Sequence, residues 1–197
     1  MVLIVDVRQR ARDALRQGIA EVALALFDER GFSAVTVDEI AEAAGISRRT
    51  FFRHFATKED VVFTNIMENG IILRDALALV PSDVHAWSAV HAAFLQSADS
   101  VDLAREQWLL VLRVIQATPA LRARNIEKHF TWAQLLAPEI ETRLHGSVIA
   151  RRRKSLTLAS AALACLDVAL SEWAAGGGEE RFRDVLTDTF AAITDAA

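Results

Sequence analysis

Four cations, Arg48, Arg49, Arg53 and Lys58, stand in the window from Ser47 to Lys58, and that window holds no acid. A guanidinium presents forked N–H donors that match guanine O6 and N7, a pairing worth ~1–3 kcal/mol of base discrimination. The first turn of a helix adds unpaired N–H groups and a positive dipole end that attract phosphate. Arg48, Arg49 and Thr50 are therefore the expected base readers. Thr36, Ser47, Phe52, His54 and Lys58 are expected to contact or approach phosphates, Thr36 and Lys58 because each opens a helix. The formal net charge of −4 does not oppose duplex-DNA chemistry. Phosphate contacts act within about a Debye length of ~8–10 Å, so the local stripe outweighs the total.

A solvated helix face is the other use for such arginines, and the frame around them decides between the two. Thr36-Val37-Asp38-Glu39 spells a capping box: the threonine hydroxyl accepts from the N–H three residues on, and the glutamate returns to the threonine N–H. A short helix over Val37–Ala44 would turn Val37, Ile40, Ala41 and Ala44 inward. Gly45 breaks it, Ile46 is a buried turn residue, and Ser47 caps a helix over Arg48–Phe55. Two short helices about a glycine turn form a helix-turn-helix, whose second helix enters the major groove. Phe51 and Phe55 are expected to clamp that helix to the first; Phe52 stays near the groove or the backbone.

The remaining chain reads with a helical period. The first helix spans roughly Arg8–Arg30, with Leu15, Ile19, Val22, Ala23, Leu26 and Phe27 inward. Thr57 caps a fourth helix from Lys58 to about Leu79. Further helices are expected over Val84–Ser97, Asp102–Ala117 and Pro119–His145, with Pro138 kinking or splitting the last. A helix from about Arg152 to Ala174 leads into the linker Gly176–Gly178, and a final one runs from Glu179 to Thr194. The fold class is all-α with about nine helices. Residues 1–62 form a three-helix DNA-binding domain, and 63–197 a helical ligand-binding and dimerisation domain.

The stretch from Thr36 through Ala-Gly-Ile-Ser to Phe55 and Lys58-Glu59 resembles the DNA-binding domain of the TetR family of repressors, over about residues 8–62. That resemblance implies an all-helical homodimer joined through the last two helices of each subunit. It also implies a C-terminal ligand that moves the fourth helix and separates the reading heads. Two positions depart from the family pattern. Phe52 stands where a tyrosine is usual, which shifts phosphate contact to His54 and Lys58. Arg49 stands where glycine is common and adds a second base reader. Ser47-Arg48-Arg49-Thr50-Phe51-Phe52-Arg53 is similar to regulators of the mycofactocin system, and Thr118–Arg124 and Trp173 resemble their C-terminal pattern, which implies an acyl-CoA-binding type of domain.

In the C-terminal part, Trp87, Phe94, Trp108, Phe130 and Trp132 could line a pocket or form ordinary core. Arg113 sits in the apolar run Trp108–Ile115, where a cation needs a partner. It would anchor a carboxylate or phosphate, or form an internal salt bridge. Trp87, His91, Phe94, Trp108, Arg113 and His129 are the candidate ligand contacts. Arg151-Arg152-Arg153-Lys154 is expected to be a solvated helix start rather than a second nucleic-acid patch.

An enzyme finds little support. His85 and His91 are six apart and miss the i, i+4 metal geometry. Cys165 reads as buried and inert, and no phosphate loop, nucleophile elbow or metal-ligand set appears. No cofactor, no metal and no membrane partner is expected, and a lone cysteine suits the cytoplasm. Val2–Val5 is too short for a signal peptide. The resulting expectation is a dimeric repressor on a palindromic operator, released by a small apolar effector. A long-chain acyl-CoA is the first candidate and a hydrophobic drug the second. An architectural DNA binder without a ligand is the reading from another class, and a 135-residue C-terminal part is large for it.

Overall fold

The computed structural model describes residues 2–64 and 66–195, and every regular element among them is a helix. The order is α1 (Val2–Arg30), α2 (Val37–Ala43), α3 (Arg48–His54), α4 (Glu59–Val62), α5 (Ile66–Leu79), α6 (Ala86–Leu103), α7 (Arg105–Ala117), α8 (Pro119–Glu141), α9 (Val148–Ala175) and α10 (Phe182–Asp195). The Val2–Val5 run lies outside the residues whose side chains are described. The all-α class holds.

Ten helices are described rather than about nine, because the run expected from Lys58 to Leu79 is two helices. Val61, Val62 and Phe63 are all buried. Three consecutive buried residues fan over some 200° and cannot share one helix face. The chain instead tightens at Phe63, with the Thr64 N–H donating to the Val61 carbonyl at 3.2 Å, and starts a new helix at Ile66. Pro138 does not split α8, which continues to Glu141. The proline stands in the last turn, so the missing donor marks where the helix ends.

In α1 the buried stripe is Ile19, Ala20, Ala23, Leu24 and Phe27. Val22 and Leu26, expected inward, are only half-buried, and Leu15 is exposed. The stripe is rotated because α2 and α4 pack on one side of α1 and α7 on another. α8 lies along α9 and α9 along α10, while α5 and α6 close the bundle against α8 and α10. α9 is long and apolar enough to cross a bilayer by composition alone. Its Ala159, Ala162, Leu163, Ala169 and Trp173 are instead buried in the bundle core. Arg151 sits 3.8 Å from Glu141, while Arg152, Arg153 and Lys154 are exposed on the opening turns of α9.

One close approach shapes the C-terminal body. A Cβ at Gly70 on α5 would lie 2.6 Å from the Trp132 ring on α8. Only glycine lets these two helices come so near while the indole stays between them.

Candidate functional site

The reading head is assembled from short-range caps. The Thr36 N–H donates to Glu39 Oε2 at 2.8 Å, and the Glu39 N–H donates to Thr36 Oγ1 at 3.3 Å, so the capping box forms. Arg30 adds an ion pair to Glu39 Oε1 at 2.5 Å. These contacts hold the Glu39 carboxyl down at about 2, chiefly through the bond from the Thr36 backbone. Gly45 adopts φ +66° in the turn between α2 and α3. Ser47 then caps α3, its Oγ accepting from the Thr50 N–H at 3.1 Å. Phe51 and Phe55 are buried, as expected, with ring centroids 5.4 Å apart.

This leaves Arg48, Arg49 and Phe52 on the exposed side of α3. Arg48 is already engaged by Asp38 on α2, at 2.9 and 3.2 Å, and lies over the Phe52 ring at 5.5 Å. Arg49 has no ion-pair partner among the described residues, so of the two it is the freer to seek an acceptor.

Two of the expected phosphate contacts are turned inward. Lys58 Nζ donates to the carbonyls of Phe32, at 2.6 Å, and Val35, at 2.7 Å, and lies 4.2 Å from the Phe32 ring centroid. It ties the loop after α1 to the start of α4; burial pushes its pKa down, partly offset by Glu59 and Glu39. His54 is only 9% exposed, and both its ring nitrogens are buried without an acceptor or donor. Burial pushes its pKa down, helped by Arg53, Arg12 and Arg16. Lys58 is drawn in by the loop after α1, and His54 by α1 itself. Arg16 donates to the His54 carbonyl at 2.6 Å, so α1 covers the end of α3 that the sequence left open.

The C-terminal body holds a cavity of about 350 Å³ lined by α5, α6, α7, α8, α9 and the first residue of α10, Phe182. Leu73, Phe94, Leu112, Ile115 and Leu170 supply apolar wall, and Trp108 and Trp132 supply aromatic wall. Charged and polar groups in the wall include Arg122, which bonds the Gln116 carbonyl, together with Asn125, Lys128 and Asp167. Ile72 and Ile126, 53% and 70% exposed, rim it. A space of this size and lining is typical of small-molecule sites.

Of the six candidate ligand contacts, Phe94 and Trp108 line the cavity. Trp87 and His91 do not: they pack on Phe190 of α10, at 4.9 and 4.6 Å between ring centroids. They share the stripe of Phe94 but sit two turns and one turn earlier respectively, roughly 10 and 5 Å along the axis, where α10 fills the space. Arg113 points out of the body and makes two bonds to Asp28 of α1, both 3.1 Å. His129 stands behind the wall with Nδ1 2.9 Å from Asp167 Oδ2. Phe130 is 70% exposed, whereas Trp132 is buried.

Sequence reasoning missed Lys128, which lies in the wall at 7% exposure. Its ammonium donates to Asn125 Oδ1 at 2.7 Å and sits 4.5 Å from the Trp132 ring centroid. Burial pushes its pKa down to about 8, with Asp167 opposing. The available signal was its i, i+4 spacing to Trp132 on a helix. Arg124 was also missed as a junction residue. It is ion-paired with Asp60 and bonds Thr57 Oγ1 at 3.3 Å, which ties α8 to the start of α4.

Comparison with known proteins agrees with this architecture. Residues 19–63 match the profile of bacterial regulatory proteins of the tetR family, and residues 84–197 match the MftR C-terminal domain. The chain is 32% identical over 139 residues to a protein of Mycobacterium tuberculosis named as a mycofactocin biosynthesis transcriptional regulator, MftR, covering 70% of this chain and 69% of that one. It is also 32% identical to the HTH-type transcriptional regulator TcmR of Streptomyces glaucescens, over 73% of this chain and 63% of that one. Among solved structures, Thermus thermophilus FadR, a TetR-family repressor in complex with lauroyl-CoA, superposes with TM-score 0.54 at 24% identity, covering 89% of this chain and 91% of that one. NalD of Pseudomonas aeruginosa, the secondary repressor of the MexAB-OprM multidrug efflux pump, gives 0.59 at 21% identity, covering 92% and 96%. At these identities the structural likeness speaks for the fold, whereas the sequence matches speak for descent: the chain belongs to the TetR family of DNA-binding transcriptional regulators and carries an MftR-type C-terminal domain.

Proposed function

We propose that this chain is a ligand-responsive repressor that binds a near-palindromic operator as a homodimer and leaves it when a small apolar effector fills the C-terminal cavity. The observation that carries this reading is the double duty of α8. It lines the cavity through Asn125, Lys128 and Trp132, and it is ion-paired to α4 through Arg124 and Asp60. Arg113 on α7, whose neighbour Leu112 lines the same cavity, is paired to Asp28 of α1. A molecule that spreads α7 from α8 thus pulls on both attachments of the DNA-binding domain. Allosteric coupling requires such a differential contact between two states.

Arg48, Arg49 and Thr50 read bases in this reading, and Thr36, Ser47 and Phe52 lie against the phosphate backbone. Dimerisation runs through α9 and α10. Their outward faces carry Ser160, Ala164 and Val168 on α9 and Ala192 and Ile193 on α10, all exposed, with Val168 at 52% and Ile193 at 47%. Small and apolar residues allow close helix pairing. The two heads then meet half-sites about one DNA turn, ~34–36 Å, apart. A domain boundary between 62 and 63 puts α1–α4 with the DNA and the rest with the effector. The site of action is the cytoplasm.

A long-chain acyl-CoA is the first candidate effector, supported by the apolar cavity and its exposed apolar rim; a hydrophobic drug-like molecule is the second. Operator release and thermal shift across acyl-CoAs of increasing chain length separate them. Release that rises with chain length supports the first. Release only by cationic or aromatic drugs rejects it.

A further inference from the structure

Lys128 is a costly placement, an ammonium only 7% exposed. An ammonium withdrawn from water needs acceptors for three hydrogens and a compensating charge. Lys128 has one neutral acceptor, the amide oxygen of Asn125, and one aromatic face, Trp132. No carboxylate oxygen lies within 4.0 Å of it among the described residues, and the nearest relevant acid is committed elsewhere. Asp167 Oδ2 is held by His129 at 2.9 Å, and its Oδ1 accepts from Asn125 at 3.3 Å. Other inward or junction cations are better supplied: Arg113 has Asp28, Arg124 has Asp60 and Arg183 has Asp99, while Lys58 and Arg143 each donate to two or more backbone carbonyls. Trp132 Nε1 is a second buried donor in the same wall without an acceptor. Two donors short of acceptors thus border an otherwise mostly apolar cavity.

From this surplus of donors we infer that the ligand of the cavity is an amphipath carrying an anionic oxygen, and that Lys128 is its anchor. The proposal rests on the cavity being the effector site and adds the chemistry it selects. The apolar tail lies along Leu73, Phe94, Leu112 and Ile115, and the negative oxygen replaces the water that the ammonium lost on folding. A cationic ligand would meet like charge at Lys128 and at Arg122, and the one carboxylate of the wall, Asp167, is already engaged by His129 and Asn125. A neutral one would leave the ammonium dry. The anionic oxygen can come from a free carboxylate or from the phosphates of an acyl-CoA, and the test separates these sources.

Calorimetric titration of the intact protein with decanoate, decanoyl-CoA and decan-1-ol, in the parent chain and in Lys128→Met, decides it. Methionine keeps the unbranched stem on the Trp132 face and removes only the charge. In the parent chain, decanoate or decanoyl-CoA binds at least tenfold tighter than decan-1-ol; decanoate alone identifies the carboxylate, decanoyl-CoA alone the phosphates. In Lys128→Met that preference disappears, while an unchanged far-UV circular dichroism spectrum and a cooperative thermal melt show the variant is folded. Equal affinity for acid and alcohol in the parent, a preference that survives in Lys128→Met, or no binding by any of the three overturns the proposal. Operator release is scored separately. Lys128-dependent binding without release leaves the anchor standing and overturns only the effector reading.

Discussion

The base of the reading head and the wall of the cavity each draw a lysine inward, and they finish it differently. Lys58 meets two backbone carbonyls and the faces of Phe32 and Phe27. Its charge is absorbed by the protein, and the result is a rivet. Lys128 meets one amide and one ring and borders empty space. The difference teaches that burial of a cation does not by itself mark function. What matters is whether the chain completes its hydrogen bonds.

That contrast can be broken by experiment. The largest effect is expected at Lys58→Ala, which strands the Phe32 and Val35 carbonyls. Each unsatisfied buried group costs about 1–3 kcal/mol, so urea unfolding should show a loss of roughly 2–4 kcal/mol. An unchanged midpoint with weaker operator binding would instead make Lys58 a phosphate contact. Gly70→Ala comes next. The new Cβ meets the Trp132 ring at 2.6 Å, and overpacking of this kind costs typically about 1–3 kcal/mol. The same variant should weaken ligand binding in the cavity, since the displaced indole is part of its wall. Thermal shift with and without ligand reads both.

Arg49→Ala sharpens the other side of the comparison, the exposed cations. It should relax base preference at one operator position by roughly 1–3 kcal/mol. Arg48→Ala should do less at its position, because Asp38 already holds that guanidinium. A randomised operator library scores both, and the reverse order would show that DNA strips Arg48 from Asp38. The smallest effect is a pH dependence. His54 has its pKa held below 6.5 by burial and by Arg53, Arg12 and Arg16, and His91 by burial alone. The unfolded chain therefore takes up these protons first. The histidine contribution to stability should be complete above about pH 7 and be lost as the pH drops through 6.5. His54→Gln should flatten part of that fall in urea midpoints taken between pH 7.5 and 5.5, and a slope unchanged by it would assign the effect to His91.

The two regions also differ in how far they could be read in advance. The caps at Thr36 and Ser47, the glycine turn at Gly45 and the burial of Phe51 and Phe55 were legible. Each is a relation between residues at most five apart, and the helical period states it. The inward turn of Lys58 was not, because its acceptors lie 23 and 26 residues away. Arg113 looked like a cation in an apolar run in need of a partner. Its partner, Asp28, is 85 residues distant on α1. Trp87 and His91 had the right face of α6 and the wrong height, and only the placement of Phe190 on α10 revealed it.

The sequence by itself determined the all-helical class, the caps at Thr36 and Ser47, and the acid-free cationic face of α3, since these follow from periodicity, side-chain chemistry and spacing along a few turns. Only the tertiary structure decided which cations are spent within the chain and which remain available, and where the bundle leaves a space. Those outcomes depend on the packing of helices far apart in sequence, whose separations and rotations no local pattern encodes. A lysine's acceptors, and an empty volume, belong to several elements at once.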